Sequence, residues 1–310
     1  MYESLKKHST NFHLFIFAFD DKSYNLLNKL CLEYVTVVSL FELEDEALLS
    51  IKGDRTAGEY CWTCTPSVIK YSIEKYNLDN CTYLDADLFF FSNPSVLIDE
   101  MNDNSVLITE HRYTAVYDQA ATSGKYCVQF MTFKNDHNGV KVLDWWRNAC
   151  NEWCYNRLED GKFGDQKYLD SWPSQFEGVH ELQHLGGGVA PWNVQQYNFK
   201  EINGKIIATE KRTDQPFDLV FYHFHALKLL LNSKVDLGCY QLDNDVVRLL
   251  YKEYVLRLEA ITSSLKDIDS TFDYNGVVEL PFKLRGLVLM GKRYLKGTYN
   301  IFSVSKLKGL

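Results

Sequence analysis

Residues 81–93 read CTYLDADLFFFSN, and within them Asp85 and Asp87 stand one residue apart where an apolar run ends and Leu88, Phe89, Phe90 and Phe91 follow. A strand alternates its side chains between two faces, so carboxylates at i and i+2 of a strand end project the same way. Two hard oxygen donors there suit one Mg²⁺ or Mn²⁺, ions that keep positions open for phosphate oxygens. The pair therefore points to a nucleoside-diphosphate substrate. A solvated turn is the competing reading of any lone Asp-x-Asp, and the apolar flanks on both sides argue against it.

Other groups with chemical potential are spread along the chain. Residues 162–168 (KFGDQKY) set Asp165 and Gln166 after a glycine at what reads as a helix start, where Asp165 alone would be an N-cap. Gly186, Gly187 and Gly188 precede Ala190-Pro191-Trp192-Asn193, a flexible loop meeting a rigid aromatic corner. Glycines let backbone approach a ligand closely, although a structural turn is the simpler reading. Residues 219–225 (LVFYHFH) put His223 and His225 on one face at the end of an apolar strand, where either completes a metal site or serves as a structural histidine. Arg55, close to Glu59 and Tyr60, precedes the helix before YLDAD, and a guanidinium there suits a diphosphate.

The elements needed to hold these groups alternate between strand-like and helix-like, which predicts an α/β layer architecture with a largely parallel sheet. Strands are expected at residues 12–19, 35–40, 105–109, 128–133, 205–209 and 219–225. Asp20 and Asp21 cap a helix running through Leu30, Thr65-Pro66 has the form of a helix start, and 139–153 and 243–265 carry helical spacing.

At 310 residues, 46% hydrophobic and 15% aromatic, the chain can bury a large core. No apolar run reaches the length of a membrane span, and Glu3, His8, His13 and Asp20 interrupt the opening residues, so neither a spanning helix nor a secretory signal is expected and a cytoplasmic protein is. Eight cysteines at irregular spacing require no disulfide framework, and Cys61/Cys64 has no second pair to complete a zinc site, so they read as reduced core thiols. A net charge of −8 excludes a generally basic nucleic-acid binder. Charge is uneven. Residues 281–310 hold seven cations (Lys283, Arg285, Lys292, Arg293, Lys296, Lys306, Lys308) and no acid, so the rest of the chain carries −15 against the total of −8. With Phe282, Leu289, Tyr294 and Leu295 interspersed, this tail reads either as a segment lying on an anionic membrane surface or as a basic helix packed on the acidic body. The chain thus divides into a body, 1–280, and a basic amphipathic tail, 281–310.

The order YLDADLFFFSNP, KFGDQKYLD, GGGVAPWN, FYHFHALK resembles the metal-dependent, nucleotide-sugar-using glycosyltransferases of GT-A fold, near the family-8 group that includes glycogenin and bacterial lipopolysaccharide galactosyltransferases. The likeness spans about residues 1–230. It implies a Rossmann-type mixed sheet flanked by helices, a Mn²⁺ or Mg²⁺ cofactor and a nucleoside-diphosphate, UDP-linked, sugar donor. It also implies a saccharide or lipid-linked acceptor, retention of anomeric configuration and a role in surface-polysaccharide synthesis. By the same likeness, Asp85 and Asp87 hold metal and diphosphate, Asp165 and Gln166 face the donor sugar, and His223 or His225 ligates the metal with Lys228 on phosphate. The match loosens here: Ala226 stands where that group has glycine, and Pro191-Trp192 comes earlier, after His184, which makes His184 a competing ligand. The likeness further implies a strand before the helix-like residues 1–8. The 310 residues are therefore expected to form a sheet lacking its first strand, with an apolar slot beside YLDADLF and weak donor binding, from a start codon set too late or a degenerate product. An inactive nucleotide-sugar or glycan binder is the non-enzymatic alternative. A phosphatase of the haloacid-dehalogenase kind is the other enzymatic one, disfavoured because the Asp pair lies deep in the chain and Phe89 takes the place of that family's Thr or Val.

Overall fold

The computed structural model describes residues 1–271, 276–278 and 284–310. Pro281, Phe282 and Lys283 of the tail lie outside the described residues. The fold is mixed α/β. The helix Tyr2–His8 opens the chain, followed by β1 (Leu14–Ala18), the Asp20-capped helix Asp21–Lys29 and β2 (Val35–Ser39). The long helix Ala57–Tyr76 leads into β3 (Asn80–Leu84), and β4 (Leu88–Phe90) follows after a turn. Next come β5 (Val106–Glu110), β6 (Tyr126–Lys134), the helix His137–Glu152 and β7 (Val179–Glu181).

The central sheet has the order β3-β6-β5-β7. β6 runs antiparallel to both β3 and β5, while β5 and β7 are parallel. Three strands therefore share one direction and β6 is inserted in reverse, so the largely parallel sheet expected from the alternation of elements is corrected to a mixed one. The connection 111–125 between β5 and β6 holds only the short helix Ala120–Ser123, without the longer crossover helix that usually returns a chain for parallel pairing. β1 and β2 pair in parallel with each other as a separate two-stranded sheet. Among the described residues β1 pairs with β2 alone and β3 with β6 alone, so each has one unpaired edge, and the side chains of both are mostly half-buried.

The helix Ala57–Tyr76 covers both sheets. Phe15 of β1 stacks on its Tyr76 at 4.4 Å, and Phe17 meets Tyr71 edge-on. Its start is not Thr65-Pro66. A capping box of Thr56 and Glu59 opens it nine residues earlier, and Pro66 sits inside the helix. Two reciprocal cap hydrogen bonds stabilise the earlier start, and Thr63 Oγ1, bonding back to the Glu59 carbonyl at 2.8 Å, continues the turn toward the proline.

Past β7 the chain builds a second layer: β8 (Tyr197–Ile202), β9 (Lys205–Glu210) and β10 (Pro216–Asp218) form an antiparallel sheet, and β11 (Phe221–His223) pairs antiparallel with β4. The helix expected at 243–265 is present as Asn244–Val246, a π-helical turn Val247–Tyr251 and Lys252–Ile268. Its Tyr254 stacks on Phe224 at 3.8 Å in a cluster that also buries Phe89, Phe91, Tyr222 and Tyr251. β12 (Lys228–Leu230), β13 (Lys234–Asp236) and β14 (Ile301–Ser303) form a last antiparallel sheet, so the tail contributes a strand, and Val304 and Leu307 beyond it are buried in the same cluster. Arg293, one of the tail's cations, is buried in a two-pronged ion pair with Asp236, both bonds at 2.7 Å. Elsewhere on the helix Leu284–Leu295, Val288, Leu289, Tyr294 and Leu295 are exposed, the last two at 75% and 87%. No described helix is long and apolar enough to cross a membrane.

Candidate metal and donor site

The Asp-x-Asp sits at a corner rather than within one strand. β3 ends at Leu84, the Asp85 amide still donates to the Gln129 carbonyl of β6 at 3.0 Å, and the chain then turns into β4, whose partner is β11 instead of the central sheet. The corner is pinned on its far side, where the Phe224 amide donates to the Asp87 carbonyl at 3.0 Å. In the β4–β11 register His223 lies opposite Leu88, one residue past Asp87. Two apolar strands pairing antiparallel thus deliver an imidazole to two carboxylates more than a hundred residues away.

Ligand atoms of Asp85, Asp87 and His223 all lie within 4.8 Å of one another. His223 Nε2 is 3.0 Å from Asp87 Oδ1 and 3.8 Å from Asp85 Oδ2, and its Nδ1 is 2.6 Å from Gln129 Oε1. Burial opposes a charge on His223, but Asp87, by its charge and hydrogen bond, and then Asp85 outweigh it and hold the imidazole well above its usual pKa. Burial raises Asp85, with Asp87 adding to the effect and His223 opposing it, and Tyr83 Oη donates to Asp85 Oδ1 at 3.0 Å. Burial acts the same way on Asp87, yet the adjacent His223 leaves it below the usual carboxylate range.

Asp165 is buried beside this cluster, in the segment before the 3-10 turn Lys167–Ser171. It is not a helix cap. Burial, with the Asp85 charge adding to it, pushes its carboxyl up to about 7 although the Thr65 hydroxyl hydrogen-bonds it. Trp146 Nε1 donates to the Asp165 carbonyl at 2.9 Å and fixes the segment. Gln166 donates from Nε2 to the Ser123 carbonyl at 2.7 Å.

The remaining expected residues divide. His225 is exposed at the mouth, its ring 5.8 Å from that of His223, and is outside the three-residue cluster. His184 lies elsewhere: its amide donates to Glu100 Oε2 at 2.9 Å and its Nδ1 accepts from the Gly186 amide at 3.0 Å, so it shapes the glycine turn. Arg55 stacks over Tyr155 at 3.9 Å and donates to the Asn151 carbonyl, contacts that do not include the cluster. Lys228 is exposed on β12, across from Asp236. The triple glycine is buried and tightly packed, which corrects the flexible loop expected there: a Cβ on Gly186 would stand 2.1 Å from the Asp218 carbonyl oxygen. Arg112 binds that turn through the carbonyls of His184 and Gly187 at 3.3 and 3.0 Å. All eight cysteines are free, but Cys31, Cys61 and Cys239 are exposed, so only part of the set are core thiols.

Gln129 and Tyr83 were not singled out in the sequence, and Thr65 only as a helix start. The one available signal was an amide inside the otherwise apolar run YCVQFM of β6.

The fold and cluster define an α/β protein with a carboxylate–histidine site at a strand corner. Its sequence is 32% identical over 268 residues to the uncharacterized protein YfnD of Bacillus subtilis (strain 168), covering 84% of this chain and 83% of that protein. It is 30% identical over 243 residues to the uncharacterized protein YfnF of the same organism, covering 76% and 78%. The chain belongs to the family of these two proteins. No known protein-family profile matches it. A crystal structure of a glycosyltransferase involved in the glycosylation of the major capsid of PBCV-1 aligns with 69% of this chain and 94% of its own at 15% identity and a TM-score of 0.39, a likeness too loose to transfer chemistry.

Proposed function

We propose that the protein is a metal-dependent hexosyltransferase that moves a sugar from a UDP-linked donor to a saccharide or lipid-linked saccharide acceptor, with retention, in surface-polysaccharide synthesis. The observation that carries this reading is the convergence of Asp85, Asp87 and His223. Two carboxylates and one imidazole suit Mn²⁺ better than Mg²⁺, which prefers an all-oxygen shell. The site fits such an ion in a further respect: the Gln129 side-chain oxygen, Oε1, accepts from His223 Nδ1, which leaves Nε2 directed between the two carboxylates. When bound, the ion would supply positive charge to the leaving diphosphate, where transition-state charge gathers. Asp85, Asp87 and His223 would orient the diphosphate end of the donor. Asp165, buried beside Asp85, would face the sugar with Gln166, while Lys228 and Arg55 approach phosphate only if their side chains leave the positions described above. A nucleotide-sugar binder without turnover is the second reading, favoured by the edge of β3, the strand that leads into Asp85, which has no partner among the described residues. Donor hydrolysis by the purified protein separates the two.

The same reading brings the enzyme to an anionic bilayer through the helix Leu284–Leu295. Support comes from its exposed Val288, Leu289, Tyr294 and Leu295 beside Lys292 and Lys296, in a segment without acids. A cytoplasmic enzyme peripheral to the inner membrane face would meet lipid-linked acceptors there.

The test is thermal stabilisation by a panel of nucleotide sugars with and without Mn²⁺, repeated with Asp87→Ala. Metal-dependent stabilisation by one donor, lost in the variant, is expected. Stabilisation that ignores metal, or survives Asp87→Ala, rules the assignment out.

A further inference from the structure

A line of aromatic rings leaves the carboxylate–histidine cluster and ends at the surface. The His223 and His225 ring centroids are 5.8 Å apart, His225 and Tyr240 6.4 Å, and Tyr240 and Tyr117 5.0 Å. Trp192 lies against both histidines at 5.3 and 5.5 Å. Tyr113 and His111, stacked at 4.5 Å, lie behind Trp192. His223 is buried, His225 is exposed, and Tyr117 and Tyr240 are half-buried, so the line is open to solvent from His225 outward.

These rings come from four separate segments, 111–117, 192, 223–225 and 240, and the structure fixes them before any ligand arrives. The Gln241 amide donates to Tyr117 Oη at 2.7 Å, which ties the loop after β5 to the loop after β13. The second loop is held from behind by the C-terminal segment: Asn300 Nδ2 donates to the Gly238 and Tyr240 carbonyls at 3.0 and 2.7 Å, and Arg293 donates to the Gly238 carbonyl at 2.8 Å. Half-exposed aromatic rings pinned in place offer contact area at low ordering cost.

We infer that the strip His225–Tyr240–Tyr117 is the binding site for a neutral saccharide, the acceptor of the reaction proposed above, on which this inference rests. Successive rings meet at 82°, 68° and 66°, a stepped surface. A flat nucleobase needs a parallel face or slot, whereas puckered pyranose rings set their C–H faces on successive steps. The outer strip is built of phenol rings and offers no cationic side chain, so it suits sugar hydroxyl and C–H groups rather than phosphate. The strip also starts beside the metal-ligand cluster, where an acceptor hydroxyl must arrive to meet the donor sugar.

The experiment is saturation-transfer NMR of the full chain with maltose, cellobiose, lactose and chitobiose in the presence of Mn²⁺ and UDP, with UDP binding followed by calorimetry in the same samples. At least one disaccharide is expected to bind, about tenfold or more weakly to Tyr240→Ala and Tyr117→Ala, and within roughly twofold of the parent to Tyr240→Phe, which keeps the ring. Variants are compared at equal circular-dichroism signal. If the parent binds UDP with Mn²⁺ but no disaccharide, or if both alanine variants bind as the parent does, the strip is not a saccharide site and the donor reading stands. If UDP competes with the sugar and the Tyr variants lose UDP instead, the strip holds the nucleobase and the inference fails. A parent that binds neither UDP nor sugar removes the functional reading along with it.

Discussion

The Gln129 side-chain carbonyl lies 2.6 Å from Nδ1 of His223, while Nε2 of the same ring lies 3.0 Å from Asp87 Oδ1. Gln129 is fully buried in β6, and its Nε2 has no hydrogen-bond partner. The amide thus contributes one strong contact, and that contact selects which histidine nitrogen faces the carboxylates. Gln129→Leu is expected to lower Mn²⁺ affinity by about 10- to 100-fold, the range for removing the partner of a metal-bound histidine. Calorimetric Mn²⁺ titration measures this, and ¹⁵N shifts of His223 report whether Nδ1 still carries the proton. Unchanged affinity together with an unchanged tautomer would show that Gln129 only fills space.

Asp165 makes stability depend on pH in an unusual direction. Its folded pKa of about 7 lies above the ordinary carboxyl value of 3.8, so between those values the folded protein holds a proton that the unfolded chain has released. Unfolding stability contributed by this group is therefore complete below about pH 4, falls as pH rises, and levels off above about pH 7. Asp165→Asn removes that loss. Urea midpoints at pH 5, 6, 7 and 8 should show the variant gaining on the parent through the window, by about 1 kcal/mol or more at pH 8. A constant difference across pH would mean the carboxyl titrates normally.

The glycine turn beneath the site leaves no room for a side chain at its first position. A Cβ at Gly186 would be 2.1 Å from the Asp218 carbonyl oxygen, a backbone atom that cannot swing aside, whereas a Cβ at Gly53 meets nothing within 4 Å. Gly186→Ala should cost about 1–3 kcal/mol or more through backbone displacement, and Gly53→Ala under about 1 kcal/mol. Thermal denaturation of the two variants side by side tests this, and equal midpoints would refute it.

What could be seen in the sequence was local. Alternating apolar strands and capped helices are written in neighbouring residues, so β1, β2, β5, β6 and the helix His137–Glu152 fall within a few residues of their expected places. The Asp-x-Asp and the strand-end histidine were equally visible as patterns. Choosing His223 over His225 and His184 was not, because it depends on the β4–β11 register, a pairing across more than a hundred residues. The reversal of β6 is likewise a property of long-range pairing. The Thr56–Glu59 cap was legible in principle, but Thr65-Pro66 presented a second start signal that only tertiary packing could overrule. Arg293 looked like one more surface cation until Asp236 and Gly238 were brought to it.

That last residue also decides how membrane docking should be tested. Deleting the tail would remove β14, the buried Val304 and Leu307 and the Arg293–Asp236 pair, so loss of binding after truncation could reflect unfolding. Tyr294 and Leu295 are a cleaner choice, being 75% and 87% exposed at the end of the helix Leu284–Leu295 and outside the buried core. Burying one large apolar side chain contributes about 1.5–3 kcal/mol, so Tyr294→Ser with Leu295→Ser should weaken binding to phosphatidylserine-containing vesicles by about tenfold or more while thermal stability stays within about 0.5 kcal/mol. The cations add roughly 1 kcal/mol each near an anionic surface, so raising salt should weaken the parent's binding as well. Co-sedimentation with vesicles at two salt concentrations measures both effects. Equal sedimentation of parent and double variant would exclude this face from membrane contact, and sedimentation insensitive to salt would exclude the electrostatic part.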